Sequence, residues 1–133
     1  MKHIVIASHH RYAAGLKDTL EFVLGEMDIA TICAYVDDEP LPDQVDRVFS
    51  RFGPDDEVLV LTDMLQGSVN QALRQYVNER VHVVTGVNLP LAIELAVETR
   101  PLTPQVIDEA ISKARDQLVY VNELSIDVDD EDE

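Results

Sequence analysis

The chain has 133 residues, 46% of them hydrophobic, enough for one cored domain and too few for two. Its formal net charge is −16, and the closing DVDDEDE holds acids but no base, so about ten net negative charges fall on the rest, which argues against nucleic acid as a partner. A single cysteine, Cys33 within IATICAYV, excludes an intrachain disulfide and a clustered-thiol metal site, and reads as a reduced, buried thiol.

In chain order, HIVIAS is a short β-branched apolar run that leads at once into histidines and an arginine. It fits neither a signal peptide nor a membrane span, so a cytoplasmic protein is expected. Leu16, Leu20, Val23 and Leu24 then recur at helical spacing, and the helix is expected to end near Gly25. IATICAYV is a second buried strand, and Val45, Val48 and Phe49 mark a helix ending near Gly53. EVLVLT is the third strand, followed by a helix on Ala72, Leu73, Tyr76 and Val77. VHVVTGV is the fourth strand, and NLP after it opens a helix with Asn88 as N-cap and Pro90 in the first turn. Thr103-Pro104 opens a fifth helix, striped by Ile107, Ala110, Ile111, Ala114 and Leu118. Nearly continuous apolar strands alternating with helices predict an open, doubly wound α/β sheet, parallel and covered on both faces.

LVYVNELSI, residues 118–126, has strand composition but follows a helix that already closes the alternation. The fourth strand would otherwise leave an exposed edge, and no Gly or Pro provides a reversal after Leu118, so the segment is expected to pair outside its own monomer. The domain is taken as 1–126, with 127–133 an acidic, disordered tail.

In open α/β sheets the ligand crevice lies beyond the carboxyl ends of the strands, at the switch in strand order. Ser8, His9 and His10 stand at the end of the first strand, and TDMLQGSVNQA follows the third, bringing Asp63 and Gly67-Ser68 to the same end. Helix starts after His9 and after Gly67 offer backbone N–H groups to an anion. A carboxylate accepting the imidazole Nδ1–H leaves Nε2 with its lone pair and stabilises positive charge on the ring as it attacks phosphorus. His9 is therefore read as a phosphoryl acceptor. His10 leaves the strand in the opposite direction, so the pair is a poor chelate, and no third ligand makes a metal site. Ser68 also suits a helix cap, and Asp63 taken alone suits a solvated loop acid. His3 and His82, at strand starts, are assigned no role.

Taken together, ASHHRYAAGL, LVLTDMLQGSVNQA and VTGVNLPLAIE resemble, in order, the motifs of the mannose-type IIA domain of the phosphoenolpyruvate-dependent sugar phosphotransferase system. The resemblance runs from Lys2 to about residue 120. It implies a cytosolic carrier, without a cofactor, that takes a phosphoryl group from the phosphocarrier HPr and gives it to a IIB component, meeting the membrane components IIC and IID only indirectly. It places the phosphorylated histidine on His9, the orienting aspartate on Asp63 and the phosphate-loop serine on Ser68. Gly67 and His10, from their positions in the two loops, are taken as further phosphate-binding candidates. It also implies strand order 2-1-3-4 and a fifth, antiparallel strand exchanged within a homodimer.

The chain departs from the family pattern where His10 replaces the glycine after the active histidine, Gln66 replaces the first glycine of GGSP, and Val69 replaces its proline. The usual asparagine beyond the serine aligns with Gln71, while Asn70 stands one position earlier, so either amide is a candidate to face the site. The phosphocarrier subunit of dihydroxyacetone kinases shares the fold and histidine, but GVNLP favours the sugar-transport branch. A response-regulator receiver would match Asp63 and Thr85 but needs an acidic pair for Mg²⁺ where this chain has Ser8-His9-His10. A regulatory protein that has kept the fold and lost transfer chemistry is the third alternative.

Overall fold

In the computed structural model, which describes residues 2–124, the apolar runs form β1 (Lys2–His9), β2 (Ile29–Ala34), β3 (Glu57–Thr62) and β4 (Val81–Val84). Between and after them lie α1 (Tyr12–Leu24), α2 (Leu41–Phe49), α3 (Ser68–Leu73), α4 (Leu89–Ala96) and α5 (Pro104–Arg115). The strands make one parallel sheet of order 2-1-3-4, with Ile4 opposite both Ile29 and Leu59.

Side-chain alternation along the strands splits the core into two layers. Ile4, Ile6, Leu59 and Leu61 pack against α1, α4 and α5 through Leu20, Leu95 and Ile107. Val5, Ala7, Val58 and Val60 pack against α2 and α3 through Val45, Val48, Val69 and Leu73. Coverage on both faces is why these strands read as unbroken apolar runs. Val5, Ile6, Leu59 and Val60 are fully removed from water, and each such side chain stabilises the fold by about 1.5–3 kcal/mol. Cys33 is only partly buried, at the edge of the α1-side layer, rather than fully enclosed as expected.

Helix ends follow their local chemistry. α1 stops at Gly25, whose φ of +91° suits glycine and whose N–H bonds Glu21 O at 2.9 Å. α2 stops at Phe49, short of Gly53, because Arg51 and Phe52 reach back three residues to the Val48 and Phe49 carbonyls at 3.3 and 3.1 Å. α3 likewise ends at Leu73 and tightens into a 3₁₀ turn over Arg74–Tyr76, which leaves Val77 exposed. Asn88 and Thr103 cap α4 and α5 as expected, accepting from Leu91 N at 2.9 Å and Val106 N at 3.2 Å, a contribution of about 1 kcal/mol each.

The expected fifth strand does not pair with the chain's own sheet. Val121–Glu123 forms a 3₁₀ turn, and Leu118, Val119, Tyr120, Val121 and Leu124 are exposed. Among the described residues β4 therefore keeps one edge unpaired. The last residues of LVYVNELSI, Ser125 and Ile126, and the acidic segment 127–133 lie outside the described residues. Among the described residues no helix is long and apolar enough to cross a membrane.

This topology creates the crevice. The chain lays β2 on one side of β1 and then crosses back to lay β3 on the other, so the strand order reverses between β1 and β3. His9 closes β1 and Asp63 follows β3, one on each side of that switch.

Candidate functional site

Asp63 Oδ2 accepts two hydrogen bonds from one residue: the backbone N–H of His9 at 2.8 Å and its ring Nδ1 at 3.0 Å. The other oxygen, Oδ1, accepts Met64 N–H at 3.0 Å, closing the turn at the end of β3. Burial is the largest influence on the Asp63 carboxyl and opposes its ionisation. The backbone N–H and ring of His9 and the adjacent turn together outweigh it and hold the carboxyl below the usual carboxylate range. An ionised carboxylate only accepts, so Nδ1 carries the ring proton and Nε2 presents its lone pair. The His9 side chain is 33% exposed and that of Asp63 only 14%, so the ring reaches the surface while the carboxylate beneath it is largely covered.

The loop before α3 lies directly on that nitrogen. A Cβ at Gly67 would come within 3.0 Å of both His9 Cε1 and Nε2, and Gly67 has φ +132°, which any other residue adopts only with strain. Gly67→Ala is expected to lower stability by about 1–3 kcal/mol and to displace the His9 ring, read as a drop in denaturation midpoint with shifted ring resonances. An unchanged midpoint and spectrum would show that the loop does not pack on the ring.

Ser8 and His10 shape the turn out of β1. The buried Ser8 Oγ accepts Ala13 N–H at 2.7 Å and donates to His10 O at 3.1 Å, so one of the free N–H groups at the start of α1, expected to await an anion, is already satisfied. His10 has φ +55° and its N–H bonds Ala34 O at 2.8 Å, which explains why a glycine suits this position. Its side chain is exposed.

Ser68 is the first residue of α3 and does not cap it; its Oγ is hydrogen-bonded to Tyr35 Oη instead. The Tyr35 ring stacks on that of His9, with centroids 6.1 Å apart and 30° between planes. Asn70, rather than Gln71, is the amide built into the site. Its Oδ1 accepts from the buried Thr62 Oγ1 at 2.8 Å, and its Nδ2 reaches Met64 O at 2.9 Å, Leu65 O at 2.7 Å and Thr85 Oγ1 at 3.2 Å. It ties together the ends of β3 and β4 and the loop that carries Gly67. Asn88 points its Oδ1 into its own helix, and Val87 anchors that stretch by donating to Thr62 O at 3.0 Å and accepting Tyr12 Oη–H at 2.8 Å.

Sequence reasoning singled out His9, Asp63, Gly67 and Ser68, and the structure brings all four together. It missed Tyr35, whose available signal was its place directly after β2, the strand beside β1. His3 lies at the far end of the sheet, stacked on Phe52 and paired with Asp56 at 2.9 Å. In the loop after Asp63, Met64 and Leu65 are exposed. Cavities of 250 to 490 Å³ lie elsewhere on the molecule, with neither His9 nor Asp63 in their linings.

Residues 3–114 match the family model EIIA-man, described as PTS system fructose IIA component. A structure from Klebsiella pneumoniae, described as a phosphoenolpyruvate-dependent sugar phosphotransferase system (PTS) permease, is 36% identical, with a TM-score of 0.86 and coverage of 92% of each chain. A PTS IIA protein associated with the fucose utilization operon of Streptococcus pneumoniae is 28% identical, with a TM-score of 0.73 over 92% of this chain and 94% of that one. The mannose/sorbose-specific IIA subunit from Enterococcus faecalis shares the fold at 19% identity, with a TM-score of 0.77 and coverage of 95% and 99%.

Proposed function

The chain belongs to the EIIA-man family of IIA components of the sugar phosphotransferase system, and from that membership we propose that it carries a phosphoryl group on His9 Nε2, accepting it from HPr and passing it to a IIB component. The observation that carries this reading is the His9–Asp63 pair, with Nδ1 held at 3.0 Å from an ionised carboxylate and Nε2 turned to the Gly67 loop. In the transfer, the Nε2 lone pair attacks phosphorus in line as the P–N bond of the donor phosphohistidine breaks, and the donor nitrogen leaves with the bonding electrons. The His9 proton stays on Nδ1. The ring, now substituted at both nitrogens, gains positive charge that the Asp63 carboxylate offsets. A neutral nitrogen acceptor and an already activated donor need no metal ion to meet.

Ser68 Oγ, the N–H groups that follow Gly67 and, when protonated, the exposed His10 ring are the groups proposed to face the phosphoryl oxygens. A His9 ring that is one-third exposed, beside the exposed Met64 and Leu65 of the loop after Asp63, suits docking of a protein that carries the phosphoryl group. The test is onward transfer. Once phosphorylated, the chain should lose its added mass when mixed with the IIB component of its own system; retention of the group would contradict a carrier role.

The unpaired edge of β4 and the exposed apolar segment beyond α5 support a homodimer in which each chain lends that segment to the other's sheet. A 490 Å³ cavity beside β4, lined in part by Val83, Val84, Ile107 and Ile111, offers apolar surface next to that edge. Deleting residues from 119 onward should convert a sedimenting dimer to monomer or aggregate, and the intact chain should gain stability with concentration. A monomer at micromolar concentration, or a truncated chain that remains a folded dimer, would rule out the exchange.

A further inference from the structure

Tyr35 follows β2 with a φ of +67°, in the left-handed region where a residue with a Cβ sits poorly. Burial does not compensate, since the residue is 61% exposed. What the conformation achieves is reach. The side chain passes from β2 across the end of β1 to α3, stacking on the His9 ring and placing its hydroxyl on Ser68 Oγ. An exposed aromatic residue in a disfavoured conformation that touches two members of a site points to function.

We propose that Tyr35 is a positioning residue for phosphoryl transfer at His9, acting through the hydroxyl of Ser68. The inference rests on the carrier reading above. Ser68 has one proton to donate, and it aids transfer only when that proton faces the phosphoryl oxygens. A phenol is a stronger acid than an alkyl hydroxyl, so the Tyr35 hydroxyl donates and Ser68 Oγ accepts. That occupies a lone pair of Ser68, leaves its proton for the incoming oxygen, and strengthens that second bond through the chain. Without the phenol, a serine at the start of a helix turns its hydroxyl toward nearby backbone groups.

Rates of transfer from purified phospho-HPr to the full chain, to Tyr35→Phe, to Ser68→Ala and to the double variant test this. Tyr35→Phe keeps the ring and removes one oxygen at an exposed position. It should lower kcat about tenfold, the effect of one hydrogen bond made in the transition state, with KM for phospho-HPr changed by less than about twofold. The double variant should be no slower than Ser68→Ala alone, because the tyrosine acts through the serine. Three results would overturn the assignment: a Tyr35→Phe rate within about twofold of the parent, a loss confined to KM, or an equal loss in the Ser68→Ala background. If the parent chain takes no phosphoryl group on His9, the carrier reading falls and Tyr35 with it. If the parent is labelled and Tyr35→Phe is labelled as fast, only the Tyr35 assignment falls.

Discussion

Replacing His9 by glutamine should abolish phosphoryl labelling from phospho-HPr. Glutamine retains polarity and similar bulk, but its amide nitrogen has no free lone pair to attack phosphorus, and the other histidine paired with a carboxylate, His3 with Asp56 at 2.9 Å, lies at the far end of the sheet. Nδ1 of His9 faces Asp63 at 3.0 Å and cannot serve. His10 leaves β1 through a left-handed turn with its side chain exposed, and its proposed part is contact with the phosphoryl oxygens rather than acceptance of the group, so His10→Gln should leave labelling on His9 in place. The comparison is made by alkaline gel or mass analysis. Labelling that survives in His9→Gln and disappears in His10→Gln would mean the acceptor is the other ring.

Asp63→Asn should keep the fold and slow transfer by roughly 10²–10⁴-fold, about 3–5 kcal/mol of transition-state stabilisation. An amide can turn its oxygen to the His9 N–H groups, so the geometry at 2.8 and 3.0 Å is largely retained. The lost element is the negative charge that offsets the ring's positive charge as phosphorus is attacked. An amide can equally turn its NH₂ to Nδ1, selecting the tautomer whose Nε2 carries a proton and cannot attack. A rate within about threefold of the parent would remove Asp63 from the mechanism. The same variant has a signature in stability. Because the folded carboxyl is held below its ordinary value, its contribution is complete above about pH 4 and is lost as pH falls through the depressed folded value. Asp63→Asn should therefore flatten the acid-side fall in stability, measured by denaturant unfolding at several pH values.

The sequence carries the sheet clearly because both faces of it are covered. Val5 and Ile6 are each fully buried against different helices, so β1 reads as an uninterrupted apolar run bounded by His9. The His9–Asp63 pairing is legible for a topological reason, since both residues end strands that flank the switch in strand order. Gly67 is legible as a glycine, but its reason, the 3.0 Å approach of a Cβ to Nε2, is a matter of tertiary packing. Tyr35 is hidden because its reach depends on a left-handed backbone angle that an aromatic residue seldom adopts. The choice between Asn70 and Gln71 depends on where α3 begins: with Ser68 as its first residue, Asn70 turns back to Thr62 and Thr85 while Gln71 faces solvent. LVYVNELSI shows the limit of composition, for β-branched and aromatic residues give strand propensity but do not name the partner strand. Within one chain the described part of that segment settles into a 3₁₀ turn instead.

At the centre of the proposed function is His9 Nε2, which, oriented by Asp63, takes a phosphoryl group. The most direct test mixes the full chain with purified phospho-HPr in the presence of a chelator, followed by intact mass and fragmentation under alkaline conditions that preserve phosphohistidine. A single phosphoryl group per chain is expected, located on the peptide containing His9 and attached at Nε2. No gain in mass, or a group that is lost in alkali and trapped by hydroxylamine as an acyl phosphate on Asp63, would contradict it.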